Sequence, residues 1–290
     1  MEGKDQAYFG YYGQFHNQQN MLSDQIRTGT YHNAIVRNPE DFKNKVVLDV
    51  GAGTGILSYF SAVAGAKTVY AVEASDIATS AKILLDNSHY GNKIHVLKGK
   101  MEEVEIKEKV DVIVSEPMGV LLVHERMMES FLVARDLYLK PGGKMYPSSS
   151  SIYLSPFSDH LLHSDTLTKT RFWHQNDFYG LDLNCLASAA TNHLFSQPVV
   201  GCFDPRSLMA NIIQRNFDFL TLSLDELKNF TIDLNFVSNF TGVVHGEFFF
   251  SIFILPLFIS FIYFIFIFIY DFFYFDLLII LLNFNPFFFH

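Results

Sequence analysis

Cysteine is nearly missing: the chain has two, Cys185 and Cys202. That excludes a disulfide scaffold and a cysteine-rich zinc site, and both are expected as small buried side chains. No apolar run follows Met1, so no secretory leader is read there, and the sequons at Asn229 and Asn239 are expected to be incidental. Bases are outnumbered, 21 against 30 acids, for a net charge of −9. They form no basic stripe, which argues against a nucleic-acid-binding protein; a negative field suits a cationic substrate instead. No Lys or Arg follows Lys228, whereas 16 of the 31 Phe fall in residues 248–290.

That last segment is uncharged from Phe248 to Tyr270, long enough to span a bilayer. It lacks flanking Lys or Arg anchors, and its Phe, Ile, Leu, Tyr and Asn are residues with AT-rich codons. It is therefore read as translated noncoding sequence rather than a membrane anchor. The preceding residues have the composition of a globular protein with a real core.

Within them, short apolar runs alternate with helical patterns. Strands are expected over 46–50, 68–73, 93–97 and 110–114, and helices over 56–64, 76–86 and 126–137, with Gly65 a plausible helix stop. A turn is expected at Lys140-Pro141-Gly142-Gly143. Strand and helix in alternation mean a doubly wound α/β sheet. After Pro147 the pattern becomes strand-rich, so a boundary is placed there.

Two loops carry chemistry. Gly51-Ala52-Gly53-Thr54-Gly55 follows the first strand, where glycines let the backbone turn tightly and approach a ligand. No Gly-Lys-Ser/Thr follows, which excludes a phosphate P-loop. Glu73 ends the second strand, where a carboxylate can accept both ribose hydroxyls. The glycine loop alone fits any nucleotide site or a tight turn; with Glu73 it favours an adenosyl ligand. Beyond the fourth strand, Glu116 and Glu125 could be an acid/base pair, a metal site or a cation clamp. An acid/base pair would carry a raised pKa, and a metal would want ligands beyond His124. A guanidinium clamp fits best, because that planar fork pairs bidentately with carboxylates, against the equal alternative of a salt-bridged helix start. His160 and His163 are spaced for a metal, but a helical surface is expected there.

Read together, these pieces resemble the protein arginine N-methyltransferases. They are Tyr8-Phe9-Gly10-Tyr11-Tyr12, Asp24-Gln25-Ile26-Arg27-Thr28, the loop from Val47 to Gly55, Glu73, Gly99-Lys100-Met101-Glu102-Glu103 and Ser115 to Glu125. Pro117, Phe172-Trp173-His174-Gln175 and Gln197-Pro198-Val199-Val200 are similar to the coactivator-associated, type I branch. The resemblance implies a Rossmann-like class I methyltransferase domain, then an incomplete β-barrel with a helical dimerisation arm. It divides the chain into a lid (1–32), a cofactor domain (33–147), a partial barrel (148–247) with the arm near 160–200, and the tail (248–290).

It also implies roles. Arg27 would pair the carboxylate of S-adenosylmethionine, with Gln18 nearby. Asp49, Gly51 and Gly53 would shape the pocket, and Glu73 would hold the ribose. Met101 and Glu102 would meet the adenine, with Ser130 closing that side. Tyr8, Tyr11 and Tyr12 would form a lid over cofactor and substrate, and Glu116 and Glu125 would grip the substrate arginine. Met21 would suit asymmetric dimethylation. The implied partners are histones and other arginine-containing proteins and a second copy of the chain; the implied location is nucleus and cytoplasm. No metal is implied. Three departures from the family stand out: Val120 where Tyr is common, Asn17 where this branch has Gln, and no Thr-His-Trp loop late in the barrel. The last motivates an alternative, a truncated paralogue that binds cofactor or dimerises without turnover. A small-molecule methyltransferase is disfavoured by the two glutamates and the arm.

Overall fold

A computed structural model describes residues 2–119, 121–201, 203–255, 263–274 and 278–284; Val120 and Cys202, singled out above, lie outside the described residues. Three short helices open the chain: α1 (Glu2–Tyr12), α2 (Phe15–Ser23) and α3 (Gln25–Val36). Asp24 caps α3 by accepting from the amides of Ile26 and Arg27, the usual use of a short carboxylate at a helix start. One turn, α4 (Pro39–Phe42), leads into β1 (Val46–Val50), α5 (Ile56–Val63), β2 (Thr68–Glu73), α6 (Ile77–Asp86), β3 (Ile94–Lys98), β4 (Val110–Ser115), α7 (Met127–Tyr138) and β5 (Leu139–Tyr146).

These five strands form one parallel sheet in the order β3-β2-β1-β4-β5. The sequence pattern explains it: β1 is buried at every position, as a strand covered on both faces must be. Helices α5, α6 and α7 pack against the sheet. The expected turn at 140–143 is instead a bulge within β5. Val110 pairs with Leu139 and Val112 with Lys144, so the glycines let the chain loop out without ending the strand.

The remaining elements are β6 (Ser149–Phe157), α8 (His160–Thr170), α9 (Ala187–Phe195), β7 (Val199–Val200), β8 (Ile213–Asp218), α10 (Leu224–Lys228), β9 (Phe230–Phe236), β10 (Val243–Ile254), β11 (Tyr263–Tyr274) and β12 (Leu278–Phe284). They build an antiparallel sheet, β7-β11-β10-β6-β8, and a β9-β12 pair. Arg135 of α7 joins the two parts by donating to the carbonyls of Phe219 and Leu222, each at 2.6 Å.

The composition change at residue 248 is not a break in structure. Strand β10 runs through it, paired with β6 from Gly246–Phe157 to Ile254–Ser149, and Phe249 and Phe253 are buried in the main core. Among the described residues no helix is long and apolar enough to cross a membrane.

Two smaller expectations are corrected. His163 is not on a helical surface; it is buried, its ring 4.9 Å from that of His245 and 5.4 Å from that of Phe195. Helix α8 turns that face toward β10, which its sequence does not announce. Cys185 is exposed rather than buried, because it lies in a short turn between α8 and α9.

Candidate functional site

In the parallel sheet, β2 and β3 lie on one side of β1, and β4 and β5 on the other. The strand order therefore reverses between β1 and β4, and open α/β sheets bind ligands outside the carboxyl ends of strands at such a point. Both loops singled out by sequence start there: residues 51–55 leave β1, and residues 116–125 leave β4.

Gly51, Gly53 and Gly55 all have positive φ. At Gly53, with φ +57°, a Cβ would also sit 2.8 Å from Gln18 Oε1, so only glycine brings that backbone so near α2. Its amide donates to Glu73 Oε2 at 2.8 Å, and the Ser75 amide to Oε1 at 2.7 Å. Glu73 is thereby aimed at the loop by two backbone donors. Beneath the loop, Asp49 is fully buried. Ser58 donates to its Oδ2 at 2.7 Å, while Oδ1 has no partner. Burial outweighs the bonds from Ser58 and pushes this carboxyl up to about 7. The Ser75 hydroxyl, also buried, has no partner either. Buried polar atoms are nearly always bonded, so two orphans beside a glycine cradle mark a place built for a polar ligand.

Beyond β4, the backbone is contorted. Leu121, Leu122 and Arg126 all have positive φ, a strain that bulky residues adopt only where surroundings enforce it. Gly119 and Leu122 close a tight turn. A Cβ at Gly119 would meet Glu125 Cγ at 2.6 Å, so its bareness makes room for that side chain.

The two glutamates are held from different sides. Arg27 donates from Nε and Nη2 to Glu116 Oε2 at 2.9 and 2.7 Å, and from Nη1 to the Met21 carbonyl at 3.2 Å. The Met118 amide reaches Glu116 Oε1 at 3.3 Å. Burial works against the Arg27 charge, but Glu116 outweighs it, so the guanidinium stays above its usual pKa. Three of its five N–H bonds are thereby used, leaving one on each terminal nitrogen for a further acceptor. Glu125 Oε2 accepts from Tyr12 at 2.7 Å and from Tyr8 at 3.3 Å. Burial raises the Glu125 pKa, the two phenols oppose that, and the charge of Glu116 adds to it.

The structure thus brings Tyr8, Tyr12, Arg27, Glu116 and Glu125 into one cluster, and Gln18, Asp49, Gly51, Gly53 and Glu73 into a second beside it. Gln18 donates to the Tyr12 carbonyl at 2.9 Å, and Asn17 to that of Tyr11 at 2.8 Å, tying α2 to the end of α1. Met21 enters through its carbonyl. Met101 is buried, and the neighbouring Glu102 accepts from the Ser130 hydroxyl at 2.7 Å. Tyr11 stands apart: its ring packs edge-on against Tyr12 and is itself exposed. Sequence reasoning missed Ser58, Ser75, Ser115 and Tyr31. Only Tyr31 had a signal, its position one helical turn after Arg27. Among the described residues no group of three or more His, Cys, Asp or Glu could hold a metal ion.

The chain is similar to several known proteins. Residues 32–144 match the family model of ribosomal protein L11 methyltransferase. A probable histone-arginine methyltransferase CARM1 from Oryza sativa subsp. indica is 52% identical over 240 residues, 82% of this chain and 46% of the relative. A histone-arginine methyltransferase CARMER from Drosophila yakuba is 47% identical over 245 residues, 84% of this chain and 46% of that one. The chain spans about half the length of the curated relatives it matches. Among solved structures, Arabidopsis thaliana protein arginine methyltransferase 10 superposes with TM-score 0.77 at 28% identity, covering 91% of this chain and 85% of that one. The Trypanosoma brucei PRMT1 enzyme-prozyme heterotetramer with AdoHcy gives 0.76 at 28% identity, covering 93% and 85%.

Proposed function

Over the 240 residues that align, the chain belongs to the protein arginine methyltransferases, and we propose that it methylates arginine in histones and other proteins, giving monomethyl and asymmetric dimethyl arginine. The observation that supports this is a guanidinium already seated on Glu116: Arg27 donates twice to this carboxylate, which lies beside Glu125 at the strand-order reversal.

S-adenosylmethionine, when bound, supplies an electrophilic methyl group. The residues fit it: Glu73 for the ribose, the free edge of Arg27 for the carboxylate with Gln18 beside it, and Gly51, Gly53 and Asp49 shaping the pocket. Met101, Glu102 and Ser130 form the adenine side. The orphaned Asp49 Oδ1 and Ser75 hydroxyl support this fit.

The chain's own residues do the rest by orientation. A guanidinium is a poor nucleophile while its charge is delocalised over three nitrogens. Glu116 and Glu125 grip it from two sides, polarise it and fix which nitrogen points outward. Most of the gain is placement of the reacting nitrogen, supported by electrostatics. Tyr8 and Tyr12 hold Glu125 and cover the site with Tyr11, while Met21 limits the room for a second methyl on the opposite nitrogen.

The arm from 160 to 200 exposes Leu161, Phe172, Tyr179, Leu181 and Leu186, and we assign it to docking on a second copy. A histone substrate places the protein in the nucleus, with a cytoplasmic share.

The test is methyl transfer to an arginine peptide by the full chain and by Glu116→Gln. Turnover is expected in the parent and a loss of at least a hundredfold in the variant. Unchanged turnover in the variant overturns the role of Glu116. A parent that binds cofactor and dimerises without turnover establishes the truncated, inactive alternative.

A further inference from the structure

The side chain of Glu116 is held by Arg27, but something must also hold its backbone. The ladder between β1 and β4 ends at the pair Val50–Ser115, one residue short of it. Beyond lies the loop with three strained residues, which gives the glutamate no regular support.

Tyr31 fills that gap. It lies four residues after Arg27, so both side chains leave the same face of α3. Its ring is buried in the core, and its hydroxyl donates to the Ser115 carbonyl at 2.8 Å. The Ser115 hydroxyl, also buried, donates onward to the Val50 carbonyl at 2.8 Å. Val50 is the last residue before Gly51. One helix therefore grips the end of β4 at two adjacent points, the Ser115 carbonyl and the Glu116 carboxylate, and a hydroxyl passes that grip on to the start of the glycine loop.

We infer that Tyr31 is a positioning residue for the arginine site: through Ser115 it fixes where Glu116 stands relative to the glycine loop, and with it the affinity for the substrate guanidinium. This rests on the reading of Glu116 as a guanidinium ligand. Glu116 is the residue that touches substrate; Tyr31 acts only through it.

Tyr31→Phe keeps the ring in the core and removes one hydroxyl. Two measurements on the full chain test it. Amide exchange is read over residues 115–119, and binding of an arginine peptide is read by calorimetry with S-adenosylhomocysteine present. The variant is expected to exchange at least tenfold faster over 115–119 with β2 and β3 unchanged. It should bind the peptide about tenfold more weakly and bind S-adenosylhomocysteine within about twofold of the parent. In a Glu116→Gln background the same substitution should have no further effect on peptide binding, whereas a merely structural role would act equally in both backgrounds. Unchanged exchange over 115–119 overturns the inference whatever the peptide does, and so does unchanged peptide affinity in a parent that binds. A parent that binds no arginine peptide overturns the reading of the site; the exchange result then still decides the role of Tyr31. Should Tyr31→Phe fail to fold, Ser115→Ala breaks the next link of the same chain and is held to the same outcomes.

Discussion

Replacing Asp49 by Asn should remove from the folded protein a cost that grows with pH. The Asp49 carboxyl is fully buried, has one hydroxyl donor, and is pushed from an ordinary 3.8 up to about 7. A carboxyl whose folded pKa lies above its unfolded one costs nothing while both states hold the proton. It destabilises the fold as pH rises from the unfolded value, and the cost levels off above the folded one. Some three pKa units correspond to about 4 kcal/mol at the alkaline limit, reached at roughly 1.4 kcal/mol per pH unit. At pH 5 somewhat over 1 kcal/mol of that cost is present, and at pH 8 all of it. Asn carries no such charge. Its amide inherits the place of the unpartnered Oδ1 at a cost independent of pH. The stability of Asp49→Asn relative to the parent should therefore grow by about 2–3 kcal/mol from pH 5 to pH 8. Urea denaturation of both proteins at pH 5, 6, 7 and 8 reads this directly. Parallel stability curves would refute the reasoning, because they would mean that Asp49 titrates alike in the folded and unfolded chains.

Two other substitutions test the frame around the site. Gly53→Ala forces a side chain into a left-handed backbone and against Gln18 Oε1 at 2.8 Å; calorimetry should show at least a tenfold loss of S-adenosylhomocysteine affinity with the fold retained. Arg135→Ala leaves the Phe219 and Leu222 carbonyls without their 2.6 Å donors; the denaturation midpoint should fall by the equivalent of about 2–3 kcal/mol, and a fall under about 0.5 kcal/mol would show that the two parts are not joined there.

Much of this was open to reading because the signals are local. Strand β1 is apolar but for Asp49 because both its faces are covered, and glycines follow it because the backbone must turn. What escaped reading depends on partners far apart in the chain. Nothing in the spacing of Arg27 and Glu116 announces a pairing across 89 residues, and a phenol that donates to a carboxylate looks in sequence like one that merely packs. Tyr11 shows the converse. It belongs to the same aromatic run as Tyr8 and Tyr12, yet its ring is exposed, because the helix turns it away. The run of Phe after Glu247 does not interrupt the sheet. A strand pairs through its backbone, so β10 crosses residue 248 without regard to composition, and burial of Phe249 and Phe253 needs only apolar residues at alternate positions.

The two carboxylates differ in what they face. Glu116 has a cation on it, held by a capped helix. Glu125 accepts from the hydroxyls of Tyr8 and Tyr12; burial and the neighbouring Glu116 favour its protonated form, with the adjacent His124 opposing them. The phenols, themselves held protonated by burial and by Glu125, act against that. Because both belong to α1, displacing that helix would remove the two donors together and leave Glu125 beside a like charge with less to offset it. Placement of α1 and ionisation of Glu125 are therefore linked. A carboxylate whose pKa stands above the ordinary range is also the better proton acceptor near neutral pH. The group that the two phenols hold is thus also the one whose basicity the placement of α1 sets.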